Sequence, residues 1–259
     1  MYLKLIDKSP REIIKYYEKP FYVYLSLSNI CNANCVFCEV RTNKEKKCNI
    51  NVFSLIDELA SLGTQYIHFT GGGEPFVNDD IFEYLDYCTQ KKIKIILISN
   101  GLNIDEAKIK KMSNYNIVAI FFSIDSHIPE VHDALRRTQG LWNKVTSNIN
   151  LIKQYMPEVK IVLNHVLNKK NIDDFEKFIM MKKTFDFDYI NPIVIKDYDA
   201  LFFTEDQIEK YNNKLDYYNN LANSLGLEFL SDNIDFFNNK VSSLGDRYNN
   251  IDLKCLYPS

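Results

Sequence analysis

Six short apolar runs, at residues 21–27, 65–69, 93–98, 117–122, 159–166 and 187–190, are spaced so that helical segments fit between them. Strands that alternate with helices argue for βαβ units and a parallel sheet. In the first run Phe21, Val23, Leu25 and Leu27 alternate with Tyr22, Tyr24 and Ser26, the period of two that a strand requires. Between the first two runs Phe53, Ile56, Leu59 and Leu62 fall at helical spacing, and Gly63 is the expected stop. Thr204 with Gln207 predicts a capping box that opens one long helix striped by Ile208, Tyr211, Leu215 and Tyr218; beyond Gly226 the pattern weakens.

A second regularity is positional. Polar or glycine-rich segments follow the ends of the first four predicted strands: the loop from Cys31 to Cys38, then Thr70 to Pro75, then Ser99-Asn100-Gly101, then Ser123-Ile124-Asp125. In a βα barrel those positions converge on the mouth where sites are built. A chain of 259 residues that is 46% hydrophobic can bury a substantial core, so one domain plus a tail is expected. The net charge of -3 gives no electrostatic footprint for nucleic acid, and Lys44-Glu45-Lys46-Lys47 reads as a solvated loop. The N-terminus lacks the apolar stretch of a secretory signal and no window approaches the roughly 18 apolar residues of a membrane span, which together imply a cytoplasmic protein.

Cys31, Cys35 and Cys38 offer three thiolates from a single loop. Iron-sulfur clusters are held by cysteine thiolates, usually four, and three leave one iron open for chemistry. A structural zinc site is the competing reading and would take Cys48 or His68 as fourth ligand. The segment Gly71-Gly72-Gly73-Glu74-Pro75 is either a tight turn or a place where a ligand lies against main chain while Glu74 accepts from its ammonium. Ser99, Asn100, Ser123 and Asp125 could each be a helix N-cap, and Arg136 or Arg137 a solvated helix charge. Asn164 reads equally as a satisfied polar residue inside a barrel, Cys88 as a buried thiol, and His127 and His165 as structural residues.

The spacing C-x3-C-x2-C with Phe37 before the last cysteine, together with Gly72-Gly73-Glu74-Pro75, resembles the radical S-adenosylmethionine (SAM) superfamily. The resemblance runs from about Phe21 to Ile193. It implies a partial (β/α)6 TIM-like barrel of parallel strands over 21–200, after an N-terminal extension at 1–20 and before a C-terminal helix and tail at 201–259. It implies that Cys31, Cys35 and Cys38 ligate a 4Fe-4S cluster and that Gly72, Gly73 and Glu74 hold the SAM amino group. Ser99, Asn100, Ser123 and Asp125 would contact its ribose or carboxylate, Arg136 its carboxylate, and Asn164 its adenosyl moiety. Reductive cleavage of SAM to a 5'-deoxyadenosyl radical, which takes hydrogen from a substrate, is the implied activity; no catalytic residue beyond the cluster is assigned. A flavodoxin or ferredoxin would supply the electron. Cys255 near the end resembles the first cysteine of the SPASM and twitch extensions, which bind auxiliary clusters; an isolated tail cysteine reads equally well. That ending favours a peptide or protein substrate in a truncated or shortened relative, with a small metabolite or sugar as the competitor. A non-enzymatic zinc or iron-sulfur module is the alternative of another class.

Overall fold

The computed structural model describes residues 20–38, 50–70, 72–195 and 199–230. Gly71, Cys48, Cys255, the run Lys44 to Lys47 and most of the expected N-terminal extension lie outside the described residues.

All six expected strands form, β1 (Tyr22–Ser26), β2 (Tyr66–Thr70), β3 (Lys94–Ser99), β4 (Ile117–Ser123), β5 (Lys160–Leu167) and β6 (Tyr189–Val194), the last shifted from the expected 187–190 toward the C-terminus. A two-residue β7 (Glu228–Phe229) pairs in parallel with β6, so the sheet extends past residue 200 into the stretch expected as tail. The order is β1-β2-β3-β4-β5-β6-β7, every described pairing is parallel, and no pairing joins β1 to β7. A parallel sheet in sequence order needs crossovers of one hand, which puts the connecting helices on one face. The result is an open, TIM-like partial barrel.

The connecting helices are α1 (Val52–Ser61), α2 (Ile81–Gln90), α3 (Glu106–Met112), α4 (Pro129–Arg136), α5 (Leu141–Tyr155), α6 (Phe175–Met180), α7 (Glu205–Asn212) and α8 (Leu215–Ser224). Their buried stripes meet Leu25, Ile67, Phe69, Ile95, Leu97, Ile120, Phe122, Ile161 and Leu163 in one core. In α1 the stripe is Val52, Ile56 and Leu59; Leu62 caps the helix and is 39% exposed, so it leaves the expected stripe. Gly63 ends the turn at φ 86°, a left-handed position that favours glycine. The Thr204–Gln207 capping box forms, but the expected long helix breaks into α7 and α8 between Asn213 and Lys214. Tyr211, Leu215 and Tyr218 still face one core because the break keeps their spacing. Cys88 is fully buried in α2, where desolvation pushes its thiol up to about 12, the behaviour of a small hydrophobe.

Strand residues of the other parity turn away from the helices. Tyr22, Tyr24 and Ser26 of β1 sit beside Tyr66, His68 and Thr70 of β2. Farther across come Phe121 beside Val162, and Ser123, Asn164 and Asn191 side by side on β4, β5 and β6. This inner face holds the more exposed apolar strand residues, Tyr24 at 59% and Ile193 at 40%.

Candidate active site at the strand ends

The cysteine loop leaves β1 and is tied down at three places. Glu74 N–H donates to the Ile30 carbonyl at 2.9 Å, Val36 N–H donates to the Leu135 carbonyl of α4 at 2.9 Å, and Asn100 Nδ2 donates to Asn32 Oδ1 at 2.8 Å. Loops after β2 and β3 and the end of α4 thus hold the segment that carries Cys31, Cys35 and Cys38.

The glycines after β2 have a cause within the protein. A Cβ at Gly73 would stand 2.1 Å from the Ile30 carbonyl oxygen, and one at Gly72 would stand 2.0 Å from Asn29 Oδ1. At Gly73 the obstacle is backbone and only glycine allows the approach, whereas at Gly72 it is the end of the Asn29 side chain. Gly72 N–H also donates to Ser26 Oγ at 3.0 Å.

Glu74 is 3% exposed and joins β2 to β3. Its Oε1 accepts from Ser99 Oγ at 2.7 Å and Phe76 N–H at 3.3 Å, and its Oε2 accepts from Asn100 N–H at 2.7 Å. Burial raises this carboxyl above its usual range, against the pull of those three donors. A small cleft beside it is lined by Leu27, Ser28, Thr70, Gly73, Glu74 and Pro75.

Asp125, after β4, is fully buried and takes Arg136 in a two-pronged pair, Nε to Oδ2 at 2.5 Å and Nη2 to Oδ1 at 3.0 Å. Burial alone would raise the Asp125 carboxyl, but the guanidinium beside it outweighs this and holds it below the usual value. Arg137, by contrast, is exposed and ends α4 at φ 49°. None of Ser99, Asn100, Ser123 or Asp125 caps an α-helix: Asp105 caps α3, and Ile128 precedes α4. Ser99 instead binds Glu74 and the Gly101 N–H, while Asn100 reaches Asn32 and the Leu102 N–H.

Cys35 is 6% exposed, and Cys31 stands at the rim. Burial raises both thiols, so each needs a positive partner to ionise. Donors are in place: Arg136 Nη1 lies 3.7 Å from Cys35 Sγ, and Asn100 Nδ2 lies 3.7 Å from Cys31 Sγ. Among the described residues no three His, Cys, Asp or Glu side chains gather tightly enough for a single metal ion. A cubane does not need that convergence, since each cysteine binds a different iron. His68 is 3% exposed, its Nδ1 2.5 Å from the Tyr22 hydroxyl, and its ring stacked on Tyr24.

Several residues of this network carry no signature in the sequence. His132 Nδ1 accepts the Asp125 N–H at 3.1 Å, Asn171 Nδ2 donates to the Asp125 carbonyl at 2.7 Å, and Asn191 Nδ2 donates to Asn164 Oδ1 at 2.8 Å. Spacing could have offered only Asn191, by its register opposite Asn164. His165 lies among Phe175 and Phe178 on the helix side of the sheet, a structural position.

The profile described as "Radical SAM superfamily" matches residues 25–181, which include the cysteine loop, Glu74 and Arg136. The chain belongs to the radical SAM superfamily. Among curated proteins this radical SAM chain is 27% identical over 178 residues to the mycofactocin maturase MftC of Mycobacterium tuberculosis, covering 68% of itself and 44% of the relative. It is 26% identical over 164 residues to an AdoMet-dependent heme synthase of Methanosarcina barkeri, covering 59% and 44%. The chain thus spans less than half the length of these relatives. Among solved structures, Streptococcus suis SuiB bound to the precursor peptide SuiA superposes with TM-score 0.67 at 16% identity, over 88% of this chain and 54% of that one. That likeness shows the shared barrel. No described helix is long and apolar enough to cross a membrane.

Proposed function

We propose that this chain is the barrel of a radical SAM enzyme in which Cys31, Cys35 and Cys38 hold a 4Fe-4S cluster and the ends of β2 to β4 receive SAM. The observation that carries this reading is the loop itself: three cysteines pinned by two neighbouring strand ends, with N–H donors beside two of the sulfurs. When bound, the cluster and SAM supply a 5'-deoxyadenosyl radical that removes a hydrogen atom from substrate.

The chain's own residues position and shield. Gly72 and Gly73 keep the β2 loop against the cysteine loop, so that Glu74 stays beside the cleft. Glu74 Oε2 accepts one described hydrogen bond and a carboxylate oxygen has two lone pairs, which leaves a place for the SAM ammonium. Ser99, Asn100 and Ser123 surround the same rim and are proposed to shape it for the rest of SAM, with the paired Asp125 and Arg136 buried behind it and Ser123 and Asn164 neighbours at the inner-face edge. A flavodoxin or ferredoxin is the proposed electron donor.

A peptide is the proposed substrate. The support is the likeness to SuiB, solved bound to its precursor peptide SuiA, and the exposed side chains of Tyr24 and Ile193 on the inner-face strand parity. A small-molecule substrate is the second reading, favoured by the heme synthase match. Anaerobic reconstitution with iron and sulfide tests the first step. A brown protein with broad absorbance near the visible, and heat on adding SAM, is expected; a colourless protein that gives no heat overturns the proposal.

A further inference from the structure

Arg136 does not stand at the rim as a free cation. It is 8% exposed, its Nε and Nη2 are spent on Asp125, and the Phe37 ring of the cysteine loop covers its guanidinium at 5.2 Å. Asp125 is in turn fixed by the Val166 N–H on Oδ1 at 3.0 Å. Swinging Arg136 out to meet a ligand would strand a buried carboxylate without its partner. The remaining nitrogen, Nη1, points at Cys35 Sγ.

We propose that Arg136 is a positioning residue that acts on the cluster through Cys35, setting the potential at which the cluster accepts its electron. Asn100 does the same more weakly through Cys31. This rests on the reading that the three cysteines hold a 4Fe-4S cluster. One electron passes from the flavodoxin- or ferredoxin-type donor to the cluster, and no protein bond changes. The added negative charge spreads onto the thiolate sulfurs, so N–H donors there favour the reduced state and raise the potential. Arg136 brings a full charge as well as its N–H, whereas Asn100 brings only an amide dipole.

The test is a redox titration of the reconstituted full chain without SAM, followed by electron paramagnetic resonance, with iron and sulfide content measured for each protein. Arg136→Gln is expected to shift the one-electron equilibrium about tenfold toward the oxidised state, or about 59 mV more negative. Arg136→Lys should fall between that variant and the parent, and Asn100→Ala should shift by less than Arg136→Gln. Where Arg136→Gln alone fails to load, Arg136→Gln with Asp125→Asn removes the buried charge imbalance and is expected to show the same shift. An unchanged potential in a fully loaded variant, with SAM affinity lowered instead, assigns Arg136 to the SAM carboxylate and overturns the proposal. Loss of loading in every Arg136 variant, Lys included, also overturns it, since Arg136 is then a requirement of folding. Failure of the parent chain to bind a cluster is a different result, against the function proposed above.

Discussion

The strand-end rim and the inner face of the sheet belong to the same strands and are built on opposite principles. At the rim, Glu74 accepts three hydrogen bonds, Asp125 accepts three at its carboxylate, and two glycines are pressed onto neighbouring chain. On the inner face the contacts are mainly between rings: Tyr24 stacks on His68 at 5.0 Å, and His68 leans on Phe121 at 5.1 Å. His68 Nε2 is buried there with no described hydrogen bond. The difference teaches that polar saturation fixes one geometry, which suits a cofactor common to a family. Aromatic surface fixes shape more loosely and suits whatever a particular member binds.

The most severe break in this contrast should come from Cys35→Ala. It is expected to abolish cluster loading and leave no detectable 5'-deoxyadenosine when dithionite and SAM are added, measured by chromatography. A variant that still forms the nucleoside would remove the rim's claim to be the site.

Gly73→Ala should come next. The new methyl meets the Ile30 backbone, which cannot rotate away, so a cost of about 1–3 kcal/mol in denaturant unfolding is expected, together with reduced loading. Gly140→Ala is the control: open space surrounds it, and only the strain of φ 77° remains, with cluster loading unchanged.

Acid should act on both regions through histidine. His68 on the inner face, with His132 and His165 behind the rim, is held neutral by burial, each lowered from 6.5 to about 4. Between those two values the unfolded chain binds protons that the folded chain refuses, so stability falls as pH drops from about 6.5 to 4. His68→Phe keeps a ring in the stack and should flatten part of that fall in urea midpoints measured across the window. An unchanged slope would mean that His68 is protonated in the fold.

The smallest effect is expected at Tyr24, which is 59% exposed. Tyr24→Ala should cost about 0.5–1.5 kcal/mol, the range of a ring pair, in thermal or urea unfolding. A cost as large as that of Gly73→Ala would erase the distinction between the two regions.

The sheet was legible in the sequence because each strand carries its own signal. Period two in β1 and the continuous apolar runs of β3 and β4 reflect burial on one face or both, which is a local property of the chain. β7 was not legible, since two residues hold too little pattern, and neither was the break between α7 and α8, which preserves the apolar stripe on both sides. At the rim, the cysteines and Glu74 stood out by spacing. Their supports did not: Asp125 and Arg136 are 11 residues apart, Arg136 and Cys35 are 101 apart, and only the fold brings them together. The glycines show a subtler gap. Their presence pointed to a close approach, but a ligand, the Ile30 backbone and the Asn29 side chain make the same demand on a missing Cβ.

That approach between Gly73 and Ile30 has an engineering consequence. The two loops form a lock and its key, cut to one another at the scale of a single methyl group. Anyone who transplants the cysteine segment into another scaffold must carry the partner turn with it, and an insertion in either would have to be matched in the other.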